Sequence, residues 1–114
     1  MYDTDALERI KLVHLKINYI LEICQHGIIA ALEDERTARP AILMHLASIA
    51  EQFSKIKDKH LLSQFDEDDI KGAIDTRNFI AHDYEGINFP IIEFIIRDRL
   101  PVLNTLIEQI LDQA

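Results

Sequence analysis

The sequence is poor in the residues that make chains turn. Only three of its 114 residues are glycine and three are proline. An architecture of many short strands needs turn formers every few residues, so this scarcity points to a few long helices instead. There is a single cysteine, Cys24, which rules out an intrachain disulfide; on a helical stripe such a thiol reads as a small buried hydrophobe. Basic residues are also few, 12 Lys and Arg against 20 Asp and Glu, for a net charge of −8. Phosphate neutralisation draws on gathered Lys and Arg, so the composition by itself does not advertise a nucleic-acid binder. It would equally suit a basic protein partner. No apolar run reaches the ~20 residues that a bilayer-spanning helix needs, and the acidic start lacks the pattern of a secretory leader. The expectation is a cytoplasmic protein with no membrane partner.

Recognisable cofactor chemistry is missing too. The five histidines, His14, His26, His45, His60 and His82, show no i, i+4 pairing, no HExxH and no Cys/His cluster, so no metal and no cofactor are expected. There is no glycine-rich phosphate loop and no GxSxG elbow. His14 falls in an apolar stripe and reads as a core histidine with a hydrogen-bond partner. His26, His45 and His60 read as surface or helix-end residues.

What is present is helical periodicity in a chain that is 48% hydrophobic, long enough for one domain spanning residues 1–114. A first helix, capped by Thr4 or Asp5, is expected to run to about Ala30 with Leu7, Ile10, Ile17, Leu21, Cys24 and Ile28 on one stripe. Leu12, Leu15 and Tyr19 lie off that stripe, and a helix apolar on two sides usually meets two layers, which suggests a subunit interface. Thr37 is placed to cap a second helix to about Ile56, with Pro40 tolerated in its first turn. A short turn around Leu61 to Phe65 precedes a third helix, which begins in the acids Asp66 to Asp69 and reaches about Ala81, with Gly86 available to end it. Asn88 caps a fourth, with Pro90 in its first turn, and Pro101 should kink or split that last helix. Four helices with short connections predict an all-α fold, an antiparallel up-and-down four-helix bundle.

The third helix carries the oddity. About 100° per residue puts Ile70, Ala73, Ile74, Arg77, Ile80, Ala81 and Tyr84 on one stripe, so Arg77 sits in an apolar face. No acidic residue lies three or four positions away on the same helix. Its guanidinium must therefore meet an anion from another segment, another subunit or a ligand. Read plainly, Arg77 pairs with a carboxylate on another helix, His82 caps carbonyls and Tyr84 packs. Read as an anion site, Arg77 stabilises a phosphoryl oxyanion, Asn78 orients a hydroxyl or phosphate oxygen, and His82, with a reference pKa near 6.5, is an acid or base. On a continuous helix positions 77 and 82 point about 140° apart. They converge only if the helix ends near Ala81 or if two chains face each other. Phe79, Tyr84 and Phe89 could offer stacking faces for bases, but core packing is the expectation for Phe79 and Phe89.

The pattern Arg77-Asn78-x-x-x-His82-x-Tyr84 resembles the R-(polar)-x3-H-x-Y motif of the HEPN superfamily, and of HepT-type toxins in particular. The likeness runs along the chain. Arg39 to Glu51 resembles the family's second helix, with Ala50 where glycine is often found, and Ile87 to Pro101 resembles the closing helix with its Leu-Pro break. An aromatic residue, often tryptophan, frequently precedes the family's arginine motif; this chain has no tryptophan, and Ile74 lies nearby. The resemblance implies a metal-independent endoribonuclease, the toxin of a type VII toxin–antitoxin pair. Its substrate would be RNA, with no DNA partner expected, and it would act as a homodimer whose two motifs share a cleft. By the same resemblance Arg77 and His82 are catalytic and Asn78 assists. Tyr84 is the residue that an MntA-like minimal nucleotidyltransferase antitoxin modifies by AMPylation. A catalytically silent HEPN binding module that partners and regulates a nucleotidyltransferase is the alternative of a different class, and the acidic balance suits it.

Overall fold

A computed structural model describes all of residues 1–114 and is helical throughout. Its elements are α1 (Thr4–Ile23), α2 (Ile28–Glu33), α3 (Ala38–Lys55), α4 (Lys59–Leu62), α5 (Glu67–His82), a 3₁₀ turn (Tyr84–Gly86), α6 (Phe89–Phe94), a π-helical turn (Ile95–Arg99) and α7 (Leu100–Gln113). The expected all-α bundle is what the chain forms. Helix α1 packs on α3 and α7, α3 also packs on α5, and α2 bridges α3 and α6.

Along α1 the buried positions are Ala6, Ile10, Val13, Ile17 and Ile20, with Cys24 just beyond the helix end. Steps of three and four residues bring them to one side. Leu12, Leu15 and Tyr19 remain about 40% exposed, so the second apolar set on α1 is uncovered within one chain. The first helix is shorter than its periodicity predicts. Gly27, at φ +128°, takes a conformation that residues with a Cβ avoid, and it splits the expected run to Ala30 into α1 and α2. The cap of α1 is also not Thr4 or Asp5; the helix starts at Thr4 behind Asp3, whose side chain makes no capping bond.

The remaining boundaries follow local chemistry. The Asp34 carboxylate, rather than Thr37, accepts from the Thr37 and Ala38 amides at the start of α3. Asp58, Asp66 and Asn88 each accept from an amide in the first turn of α4, α5 and α6, the usual service of such side chains. Pro101 has no amide hydrogen to give. The π-helical turn just before it loosens the backbone where a straight α-helix would clash with the proline ring. The predicted break is therefore present and has a defined form.

His14 is half-buried and closes a polar ring between α1 and α7. Its Nδ1 lies 2.7 Å from Asn104 Oδ1, its Nε2 lies 3.2 Å from Asn18 Nδ2, and Asn104 Nδ2 donates to Asn18 Oδ1 at 3.0 Å. The expected partner exists, though the residue sits at the rim of the core. His45 departs further from expectation. It lies within α3 against Tyr19, its Nδ1 is buried without a partner, and burial followed by the Lys16 charge pushes its pKa down. His26 and His60 are exposed, as expected.

Burial separates the two apolar sets on α1 energetically. Ile17→Ala removes a fully buried side chain and is expected to cost about 3 kcal/mol in urea unfolding. Leu15→Ala, on the uncovered side, should cost less than about 1 kcal/mol.

Candidate functional site

The motif helix α5 differs from the other long helices in burying no residue completely. Ile70, Ala73, Ile74 and Ile80 are half-covered, with Ile70 and Ile80 against the core. Two ion pairs supplement this shallow contact. Arg99, from the π-helical turn, grips Asp69 with two bonds of 2.9 and 2.7 Å. Nearer the other end, Arg77 Nη1 donates to Glu51 Oε2 on α3 at 2.8 Å. The isolated guanidinium therefore finds its anion on another helix of its own chain. That corrects any picture in which it waits unpaired for a second subunit or a ligand.

Glu51 was not among the residues the sequence singled out for chemistry. It follows the buried Ala50 and stands two positions before the buried Phe53, so it is a carboxylate bordering an apolar stripe. That border position is the one local signal, and Lys55 at i+4 masks it by offering an ordinary partner on the same helix. Its other oxygen, Oε1, lies 3.3 Å from Lys55 Nζ, one turn along α3. Lys55 first, then Arg77, holds the Glu51 carboxyl below its ordinary range. Its charge is complete at neutral pH and is lost only as the pH falls through that lowered value.

The Arg77 side chain keeps 30% of its surface exposed. Nη2 donates to Asn78 Oδ1 at 3.2 Å, fixing the second arm of the guanidinium. Asn78 itself is exposed, as are Phe79 and His82. Asn78 and His82 lie open to solvent on α5, whereas Arg77 reaches toward α3. Because the helix continues through His82, the wide angular separation of 77 and 82 stands, and a single chain does not bring both side chains to one point. Tyr84 lies just beyond, 39% exposed in the 3₁₀ turn. Asp83 shapes that turn by accepting from the Gly86 amide through both its carbonyl and its carboxylate. A Cβ at position 86 would fall on the Asp83 carboxylate, so a larger residue there would push that side chain aside and cost the turn its bond to the position-86 amide.

Phe79 is not a core residue; it is 49% exposed. With Ile91 and Phe94 it borders an apolar groove of about 610 Å³ between α5 and the closing helices, floored by Leu46, Ile49 and Leu103. Phe89 is half-covered and stacks under the Arg39 guanidinium at 4.5 Å, so it is held within the fold. No group of three or more His, Cys, Asp or Glu side chains is placed to hold a metal ion, and no helix is long and apolar enough to cross a membrane.

The geometry is thus a half-buried arginine held by a carboxylate, with an exposed amide, histidine and tyrosine following it on one helix and turn. Among known protein families, the one described as ribonuclease HepT-like matches residues 8–110. Neither a curated protein nor a solved structure gives a significant match to the chain. The family match spans nearly the whole bundle, from the second turn of α1 into the last turn of α7, and includes every residue of the Arg77 to Tyr84 motif. The chain belongs to the family of HepT-like ribonucleases.

Proposed function

We propose that this chain is the RNA-cleaving toxin of a toxin–antitoxin pair and works as a homodimer with its two α5 helices facing one cleft. The observation that carries this reading is the presentation of Asn78 and His82 on the open side of a helix that buries none of its residues, beside an arginine that remains within reach of solvent. Residues 77 and 82 of one chain diverge, but residue 77 of one chain and residue 82 of its partner converge across a two-fold axis. The uncovered faces at Leu12, Leu15 and Tyr19 and at Phe79, Ile91 and Phe94 leave apolar surface for such an association.

The chemistry needs no metal, because RNA carries its own nucleophile. The 2′-oxygen forms a bond to the adjacent phosphorus as its proton passes to one His82. The bond from phosphorus to the 5′-oxygen breaks, and the leaving oxygen takes a proton from the second His82. The products are a 2′,3′-cyclic phosphate and a 5′-hydroxyl. Arg77 offsets the charge that gathers on the non-bridging oxygens, and Asn78 orients the 2′-hydroxyl or the phosphate. With one motif histidine per chain, acid and base come from two chains.

Tyr84 is the proposed point of control. A nucleotidyltransferase partner would join AMP from ATP to the phenolic oxygen, releasing pyrophosphate. The bulky anion would then obstruct the cleft and repel RNA phosphates. A second reading, a silent module that serves a nucleotidyltransferase, is favoured by the engagement of Arg77 with Glu51 and by the net charge of −8. The two separate on growth: expression of the wild-type chain without its partner arrests the host under the first reading and is harmless under the second.

Two experiments test the roles directly. His82→Ala is expected to lower the rate of RNA cleavage by at least about 10²-fold without altering the melting temperature; cleavage at the wild-type rate would remove His82 from the mechanism. Intact mass after co-expression with a neighbouring nucleotidyltransferase should show added AMP units on the wild-type chain and none on Tyr84→Phe. Equal modification of both would place the acceptor elsewhere.

A further inference from the structure

The Glu51 carboxylate does more than tether a helix. It bridges two cations, with one oxygen toward Lys55 Nζ at 3.3 Å and the other toward Arg77 Nη1 at 2.8 Å. A phosphodiester presents a similar pair of free oxygens, which is why a guanidinium fork accepts either group. The Glu51 side chain is 42% exposed and Lys55 53% exposed, so both reach solvent and the carboxylate is free to swing outward on its two methylenes. Arg77 would not collapse if it did, since its other arm is bonded to Asn78 Oδ1. In a chain of net charge −8, this is a place beside the motif where two cations converge on a single anion.

We propose that Lys55 and Arg77 form a clamp for one phosphate of the RNA backbone, and that Glu51 occupies the clamp as a placeholder until RNA displaces it. The identity of the anion rests on the RNA-cleaving function proposed above; the clamp itself rests on the Glu51 contacts. Lys55 thereby becomes a phosphate-binding residue outside the Arg77 to Tyr84 motif. Binding becomes an exchange in which the phosphate takes over both cations while the Glu51 carboxylate is rehydrated. The placeholder keeps the two cations assembled but weakens RNA binding, because the carboxylate must be removed before the phosphate can enter.

The test uses a fluorescein-labelled single-stranded RNA and fluorescence anisotropy, with His82→Ala in every protein so that the RNA stays intact. Glu51→Gln is expected to tighten binding about five- to tenfold, because a neutral amide no longer competes. Adding Lys55→Ala should abolish that gain. Glu108→Gln, which removes an equal charge from the exposed side of α7, should change affinity less than about twofold. Weaker or unchanged binding by Glu51→Gln, or a gain that survives Lys55→Ala, would overturn the clamp. Should Glu51→Gln fail to fold, Lys55→Ala alone still decides, since it alters only an exposed side chain. It should weaken binding about threefold and reduce the salt dependence by about one phosphate contact; no change in either refutes the clamp.

Titration with inorganic phosphate, followed through the Arg77 side-chain Nε–H resonance, separates this proposal from the function on which it rests. A saturable shift that is stronger in Glu51→Gln, from a protein whose wild type cuts no RNA, supports the clamp and discards the ribonuclease reading. RNA cleavage by the wild type with no phosphate-dependent shift in Glu51→Gln does the reverse.

Discussion

The contact between Arg77 and Glu51 decides how the motif helix is mounted. Helix α5 buries nothing completely, so apolar packing alone gives it a shallow seat on α3. The arginine's reach across to Glu51, together with the fork of Arg99 on Asp69, selects which side of α5 faces inward. Once Arg77 is turned toward α3, the 3.6-residue period carries Asn78 and His82 round to the open side of the helix and leaves Phe79 at the rim of the groove. The exposure of the motif is thus a consequence of its arginine being held. A side chain that anchors the helix and also meets substrate has two tasks, and the half-exposed carboxylate shared with Lys55 lets one task give way to the other.

Much of the bundle could be read from periodicity and from turn chemistry. The bounds of α3, the start of α5 in a run of acids, the Asn88 cap and the break before Pro101 all rest on local physics that acts over a few residues. Gly27 was the local signal that went unused. A glycine inside an otherwise apolar run weakens a helix, and here its positive φ ends one helix and starts another. Thr37 stands at the cap position of α3 as its spacing predicts, but Asp34 supplies the carboxylate that the helix start uses, and α1 begins one residue earlier than a Thr4 cap would place it, behind Asp3.

The site was legible as a motif and not as an assembly. Arg77 betrayed itself as a charge in an apolar stripe, but no rule of sequence spacing could say that its partner stands 26 positions earlier on another helix. Phe79 was misjudged for a related reason. A phenylalanine is assigned to a core by its chemistry, whereas its actual surroundings depend on how α5 is rotated on α3. His45 lies in no sequence pattern and reads as a surface residue, yet it packs against Tyr19 and its Nδ1 is buried. In each case the deciding contact is long-range, and single-chain periodicity carries no information about it.

The proposed mechanism turns on one geometric statement: the acid and the base that serve one phosphate are the His82 side chains of two different chains. Mixing subunits tests it without requiring a new structure. Equal amounts of wild-type and His82→Ala chains are unfolded together and refolded as a mixture. Half of the resulting dimers carry one of each chain and lack either the acid or the base, so only the quarter that are wild-type homodimers should cleave RNA, and the rate should fall to about one quarter of that of the same total amount of wild-type chain. A mixture that contains mixed dimers yet keeps about half of that rate would contradict the shared site.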